Sequence, residues 1–184
     1  MRVELALLAQ ELFAAKGYHS TTLDDLMSAA GISKRTFFRY FASKEDLVLG
    51  KYDVWGERLV QAFTARPPDE PVWASLRRTF DVVVHYFGDP AQLSHMLALE
   101  KVIQENSALS AGELERMARV QSELAEPIAQ RMGALSTGDP RPSAVAGAAL
   151  ACLIAAKNVW VASDRARPFS ETLDAAMAPL GPVE

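Results

Sequence analysis

Apolar residues recur at three- and four-residue intervals through most of the chain, and nowhere do they alternate as a half-buried strand would. Leu5, Leu8, Ala9, Leu12 and Phe13 mark a first helical face, and Gly17 follows as a stop signal. Leu23, Leu26, Met27 and Ala30 mark a short second one, which Thr22 can cap and Gly31 breaks. Asp24 and Asp25 fall in its first turn, where carboxylates suit the positive end of the helix dipole. Ser33 is placed to cap a third helix over residues 34–41. Ser43 caps a fourth, with Asp46 three residues on as a short-armed capping box. Along that fourth helix Val48, Tyr52, Trp55, Leu59 and Phe63 form one stripe, which stops at Arg66-Pro67-Pro68.

Longer pieces follow. Trp73, Leu76, Phe80, Val83, Val84 and Phe87 predict a single fifth helix after Pro71. Gly88-Asp89-Pro90 ends it and opens a sixth, since proline fits the first helical position. Leu93, Met96 and Leu97 lie inside that helix. Ser110 to Glu113 reads as a capping box for a seventh helix, with Leu114, Met117, Gln121, Leu124 and Ile128 on its apolar face. Pro127 should kink it. A loop from Ser136 to Pro142 precedes an eighth helix reaching Ser163, and a last one starts near Ser170. The expected fold is all-α with about nine helices.

Composition narrows the class. The chain has 184 residues, of which 49% are hydrophobic and 23% charged, enough apolar material for a packed core. One cysteine, Cys152, forbids an intrachain disulfide and fits a cytoplasmic setting. Arg2 and Glu4 do not open a secretory leader. The most apolar run, 144–156, is short for a membrane span, so no membrane partner is expected. Three histidines and the one cysteine show no metal-ligand spacing. No nucleophile elbow or phosphate loop is present, so neither a metal, a cofactor nor an enzyme activity is expected.

A net charge of −4 argues against nucleic acid unless a local patch supplies the positive charge. One stretch does. GISKRTFFRYFASKEDL, residues 31–47, interleaves Lys34, Arg35, Arg39 and Lys44 with Phe37, Phe38, Tyr40 and Phe41. Phe37 and Phe41 share one side of a helix and can close a core with Ile32, Phe13 and Met27. Lys34, Arg35, Thr36, Phe38, Arg39 and Tyr40 remain on the other faces. Two short helices joined by Gly-Ile-Ser form a helix-turn-helix arrangement, which lays its second helix in the DNA major groove. Cations there reach guanine or phosphate, and a ring packs on a thymine methyl. Lys44, in the first turn of the next helix, is poorly placed beside the dipole unless a phosphate sits with it.

AQELFAAKGYHSTTLDDLMSAAGIS followed by KRTFFRYFASKEDL makes residues 2–50 resemble the N-terminal DNA-binding domain of TetR-family transcriptional regulators. The resemblance implies DNA contacts at Thr22, Lys34, Thr36, Arg39, Tyr40 and Lys44, and the residues themselves add Ser33, Arg35 and Phe38 to the candidate DNA-binding set. Two departures stand out: the family usually has tyrosine where Phe38 stands and often glycine where Arg35 stands. The basic tail common before the first helix has only Met1 and Arg2 as its counterpart.

That resemblance divides the chain into a helix-turn-helix domain, 1–46, and a helical effector-binding and dimerisation domain, 47–184. Trp55, Leu59, Phe63, Trp73, Phe80, Phe87, Met96 and Met117, with Gln121 as a polar group, are the candidate lining of a pocket for a hydrophobic or aromatic small molecule. The C-terminal region faintly resembles the subgroup whose pocket suits acyl-CoA-like ligands. Ala148, Cys152, Ala155, Val159 and Trp160 on the eighth helix are the candidate dimer face. The family pairs its last two helices across a two-fold axis. The implied function is a repressor released from a palindromic operator by its effector. The competing expectation is a helical small-molecule carrier that has lost DNA binding, which Phe38 and the short tail would fit.

Overall fold

The computed structural model describes residues 2–133 and 138–181, apart from the side chains at positions 2, 3, 10, 91, 92 and 95. Positions 136 and 137 of the expected loop lie outside the described residues. The protein is all-α. Among the described residues the helices are α1 Arg2–Lys16, α2 Leu23–Ala30, α3 Lys34–Tyr40, α4 Lys44–Thr64, α5 Val72–Thr79, α6 Asp81–Gly88, α7 Pro90–Gln104, α8 Ser107–Arg131, α9 Arg141–Ala162 and α10 Phe169–Met177, with a 3₁₀ turn at Ala178–Leu180.

Two compact units emerge. Residues up to 54 pack with 90–117, and 55–89 pack with 118 onward. In the first unit Leu5, Ala9, Phe13 and Tyr18 of α1 and the turn after it meet Leu26, Phe37 and Phe41, with Leu99 and Ile103 of α7 in the same cluster. Phe37 is 0% exposed, so its ring alone contributes about 1.5–3 kcal/mol of apolar burial. Ile32 and Met27 pack against this cluster, as their spacing implies.

In the second unit Leu59, Phe63, Leu76, Phe80, Leu124 and Ile128 are buried. Phe87 stacks on Trp160 with ring centroids 5.5 Å apart, and Phe169 meets both rings edge-on. Arg131 closes the C-terminal end of α4. Its Nη2 donates to the carbonyls of Phe63 and Arg66 at 3.2 and 3.1 Å, the first of which also accepts the Arg66 N–H at 3.1 Å.

Three elements differ from expectation. The fifth helix is two, α5 and α6, parted at Phe80 with φ −72° and ψ −4°. Beside the break, the buried Thr79 hydroxyl donates to the Ser75 carbonyl at 2.8 Å, a back-bond that bends helices. Periodicity missed it because the apolar face continues across the bend. Next, α3 stops at Tyr40, and Phe41 is its extended cap with φ −138°. Lastly, α8 begins at Ser107. Asn106 caps it, its Oδ1 accepting from the N–H groups of Ala108 and Leu109 at 3.1 and 3.3 Å. The Ser110 hydroxyl turns back to the Ile103 carbonyl instead of capping. The buried face of α8 is Leu109, Val120, Leu124 and Ile128, while Leu114 is 70% exposed. Position 114 belongs to a 3-4 repeat that also runs through Leu124 and Ile128, and only packing selects Val120 over Leu114 to extend their face. The helix continues through Pro127.

Candidate nucleic-acid interface and effector region

Short-range chemistry builds the α1–α3 unit. Gly17 takes φ +83°, in the left-handed region that glycine enters without a Cβ penalty. The buried Thr21 hydroxyl donates to its carbonyl at 2.9 Å. Thr22 and Asp25 form a complete capping box on α2, and Lys16 pairs with Asp25 at 3.1 Å. Hydrogen bonds from the Thr22 backbone and hydroxyl, then from Lys16, hold the Asp25 carboxyl down to about 2. Gly31, at φ +63°, ends α2, and its N–H returns to the Ser28 carbonyl at 3.2 Å. Ser33 then caps α3, its Oγ accepting the Thr36 N–H at 3.2 Å and lying 3.0 Å from the Thr36 hydroxyl.

This geometry presents α3 with Phe37 inward and Lys34, Arg35, Phe38 and Arg39 exposed. Thr36 and Tyr40 are half-buried on the flanks. Arg39 donates to the Tyr40 hydroxyl at 2.9 Å and lies 4.8 Å above that ring. Among the described residues Lys34, Arg35 and Arg39 enter no ion pair. Thr22 and Ser33, both exposed, are the N-cap residues of α2 and α3.

Lys44 behaves otherwise. Its ammonium donates to the carbonyls of Tyr18 and Thr21 at 2.9 and 3.0 Å and lies 4.2 Å over the Tyr18 ring. The unfavourable position beside the α4 dipole is thus offset within the protein, by carbonyl acceptors. Glu45 accepts from the Tyr18 hydroxyl at 3.1 Å. Burial, then the Glu45 charge, push the Tyr18 phenol up.

The candidate effector residues are divided between the units. Trp55, Leu59, Phe63, Trp73, Phe80 and Phe87 belong to the second, and Met96 and Met117 to the first. Leu59, Phe63, Phe80 and Phe87 are consumed in core packing, whereas Trp55 and Trp73 are half-exposed. Trp55 meets Tyr86 edge-on at 4.8 Å. Trp73 lines an open groove of about 400 Å³ with Pro71, Ala74, Arg77, Asp174 and Met177, and its Nε1 donates to the Met177 carbonyl. Gln121 bridges α8 to α9, its Nε2 donating to the Ser143 carbonyl and hydroxyl at 3.0 and 3.1 Å. Gly147 gives it room, since a Cβ there would stand 2.9 Å from that nitrogen.

On α9 the candidate dimer residues fall on two faces. Cys152 and Trp160, expected at the partner, are buried in their own chain, and burial pushes the Cys152 thiol up. Ala155 and Val159 are exposed and Ala148 is half-exposed. The outward strip they begin continues through Ala144, Ala151 and Ala162, flanked by Ile154 and Val161. Sequence reasoning missed this division because both faces of α9 are small and apolar. It also missed Asn106 and Arg116, whose partners are distant in the chain.

Residues 8–50 match the profile of bacterial regulatory proteins of the tetR family, and 70–183 match that of the MftR C-terminal domain. The chain is 32% identical over 146 residues to the HTH-type transcriptional regulator TcmR of Streptomyces glaucescens, covering 77% of this chain but only 64% of TcmR. It is 29% identical over 174 residues to the putative mycofactocin biosynthesis transcriptional regulator MftR of Mycobacterium tuberculosis, covering 95% of this chain and 86% of that protein. A solved putative TetR-family regulator from Syntrophomonas wolfei shares the fold with a TM-score of 0.63 at 17% identity, over 96% of this chain and 91% of its own. Reduced NemR of E. coli does so with a TM-score of 0.62 at 18% identity, over 95% and 94%.

Proposed function

Because this chain belongs to the TetR family of bacterial regulatory proteins, we propose that it is a ligand-responsive DNA-binding repressor, released from a near-palindromic operator by a hydrophobic small molecule. The observation that carries this is α3. A seven-residue helix spends Phe37 on the core and shows Lys34, Arg35 and Arg39 to solvent without an ion pair among the described residues. A polyanion supplies what those cations lack. Arg35 and Arg39 are the base or phosphate readers, Phe38 packs on a thymine methyl, and Thr36 and Tyr40 fix the flanks. Thr22 and Ser33 place the N-termini of α2 and α3 against phosphates. Lys44 serves from behind by tying α4 to the turn after α1.

Residues 1–46 form the reading part in this proposal, and 47–184 hold the effector and the pairing face. The half-exposed Trp55 and Trp73 support an apolar or aromatic effector, of which an acyl-CoA-like molecule is one form. A homodimer is supported by α9. This helix is long and apolar enough to cross a membrane by length and composition, yet only 33% of its apolar stretch is buried in one chain. A second copy, meeting it through α9 and α10, would cover the alanine strip and leave a water-soluble assembly, in keeping with the cytoplasmic setting that the family resemblance implies. Two recognition helices then meet half-sites roughly 34–36 Å apart.

Selection from a random duplex pool, followed by a salt series, tests this. The selected duplex should be a near-palindrome, with affinity falling steeply as salt rises, by a slope of about 0.9 per phosphate contacted. A chain that retains no duplex at low salt is a carrier, and the proposal fails.

A further inference from the structure

We infer that Arg116 on α8 is a positioning residue for the recognition helix, acting on α3 through Asp46. This rests on the DNA-binding function proposed above. Within the first unit α8 lies close against α4. A Cβ on Gly112 would stand 2.7 Å from Cδ1 of Leu49, and Leu49 is only 3% exposed, with little room to retreat. One residue on, Glu113 accepts from the Tyr52 hydroxyl. One turn of α8 beyond Gly112, Arg116 forks to two carboxylates. Its Nη2 donates to Asp46 Oδ1 at 2.9 Å and its Nη1 to Asp53 Oδ2.

Asp46 is the informative partner. Its other oxygen, Oδ2, accepts the Ala42 N–H at 3.1 Å, and its own N–H donates to Ser43 Oγ at 3.1 Å. Ala42 follows Phe41, the cap of α3, whose N–H is bound to the Phe37 carbonyl at 3.1 Å. One carboxylate therefore has one oxygen on α8 and the other on the backbone leaving the recognition helix. Arg116 and Asp46 side chains are 17% and 18% exposed, so solvent screens the pair less than it would a surface bridge. A change in the roll or register of α8 turns that carboxylate and with it the exit of α3. α8 is one helix from Ser107 to Arg131, so a shift of it reaches Arg116 along an unbroken backbone. Asp53 takes the other arm of Arg116 and serves as the control.

The test uses the full chain and the duplex that the wild type selects from a random pool. Affinities for that duplex and for a random one, their salt slopes and the melting temperature are compared for wild type, R116M, D46N, the double variant and D53N. R116M should weaken the selected duplex roughly 5–150-fold, the usual span of coupling between sites. Random-duplex affinity and the salt slope should stay in place. In the D46N background R116M should do far less, because the relay is already cut. D53N should cost less than D46N. Should R116M fail to fold, R116K and D46N carry the same comparison. The inference is overturned if R116M binds the selected duplex as tightly as wild type, if it loses both duplexes in step with its melting temperature, or if the two substitutions multiply independently. A wild type that selects no duplex sinks the DNA-binding proposal first, a result distinct from an unaffected R116M.

Discussion

α3 and α9 solve the same problem with opposite chemistry. Each buries one face in its own chain: Phe37 for the seven-residue α3, and Ala149, Cys152, Ala156 and Trp160 for the 22-residue α9. Each leaves the other face uncovered. On α3 that face carries Lys34, Arg35 and Arg39, and on α9 it carries Ala144, Ala151, Ala155 and Val159. Exposure alone therefore says little about a partner. The cations of α3 ask for an anion, because no carboxylate among the described residues pairs with them. The strip on α9 asks for another apolar surface that can approach closely, and a two-fold copy offers the same strip. In an acidic chain of net charge −4, these two faces account for two of the three proposed partners, the duplex and the second copy.

The sharpest way to break the comparison is from the inside. Phe37→Ala should cost about 3–5 kcal/mol in a denaturant melt, since a fully buried ring leaves a cavity. A loss under 1 kcal/mol would mean that α3 is not held by its inner face. Next comes Ala155→Glu on the outward strip of α9. Like charges juxtaposed across a two-fold contact cost several kcal/mol, so sedimentation should show monomer where wild type shows dimer. An unchanged dimer would move the interface elsewhere. On the outward side of α3, Arg39→Ala should lose about 1–3 kcal/mol on the selected duplex if it reads a base. If it holds only phosphate, every duplex weakens alike and the salt slope falls by about 1. Equal binding would remove Arg39 from the site.

The smallest effect concerns the cap that aims these helices. Asp25 is held down to about 2 in the fold, below an unfolded value of roughly 3.9. A depressed carboxylate contributes fully above the unfolded value, and the contribution is lost as pH falls through the folded one. Stability referenced to Asp25→Asn should therefore be flat above about pH 4, then decline down to about pH 2. A carboxyl NMR titration with a midpoint near 4 would contradict the capping box.

Local rules read the first unit well. Thr22, Gly31, Ser33 and Ser43 act within four residues of themselves, so their roles follow from neighbours along the chain. The same rules failed where a long-range partner overruled them. Lys44 was expected to need a phosphate because nothing nearby in sequence offsets its charge beside the dipole, and the Tyr18 and Thr21 carbonyls that accept it lie 26 and 23 residues away. Ser110 looked like a cap because Asn106 gives no capping-box pattern, yet Asn106 lies on the residue before α8 begins. Arg116 carried no signal at all, since its meaning comes from Asp46 and Asp53, 70 and 63 residues back.

From its residues alone this chain was committed to an all-helical fold and to a helix with rings on one side and cations on the other. Helical periodicity and caps act over three or four positions, a distance that sequence spells out. The tertiary structure alone decided which of two equally apolar faces of α9 stays uncovered, where α8 presents its buried side, and which cation near α3 is spent inside. Those outcomes depend on atoms brought together from far along the chain, where competing faces of similar hydrophobicity differ only in what they pack against.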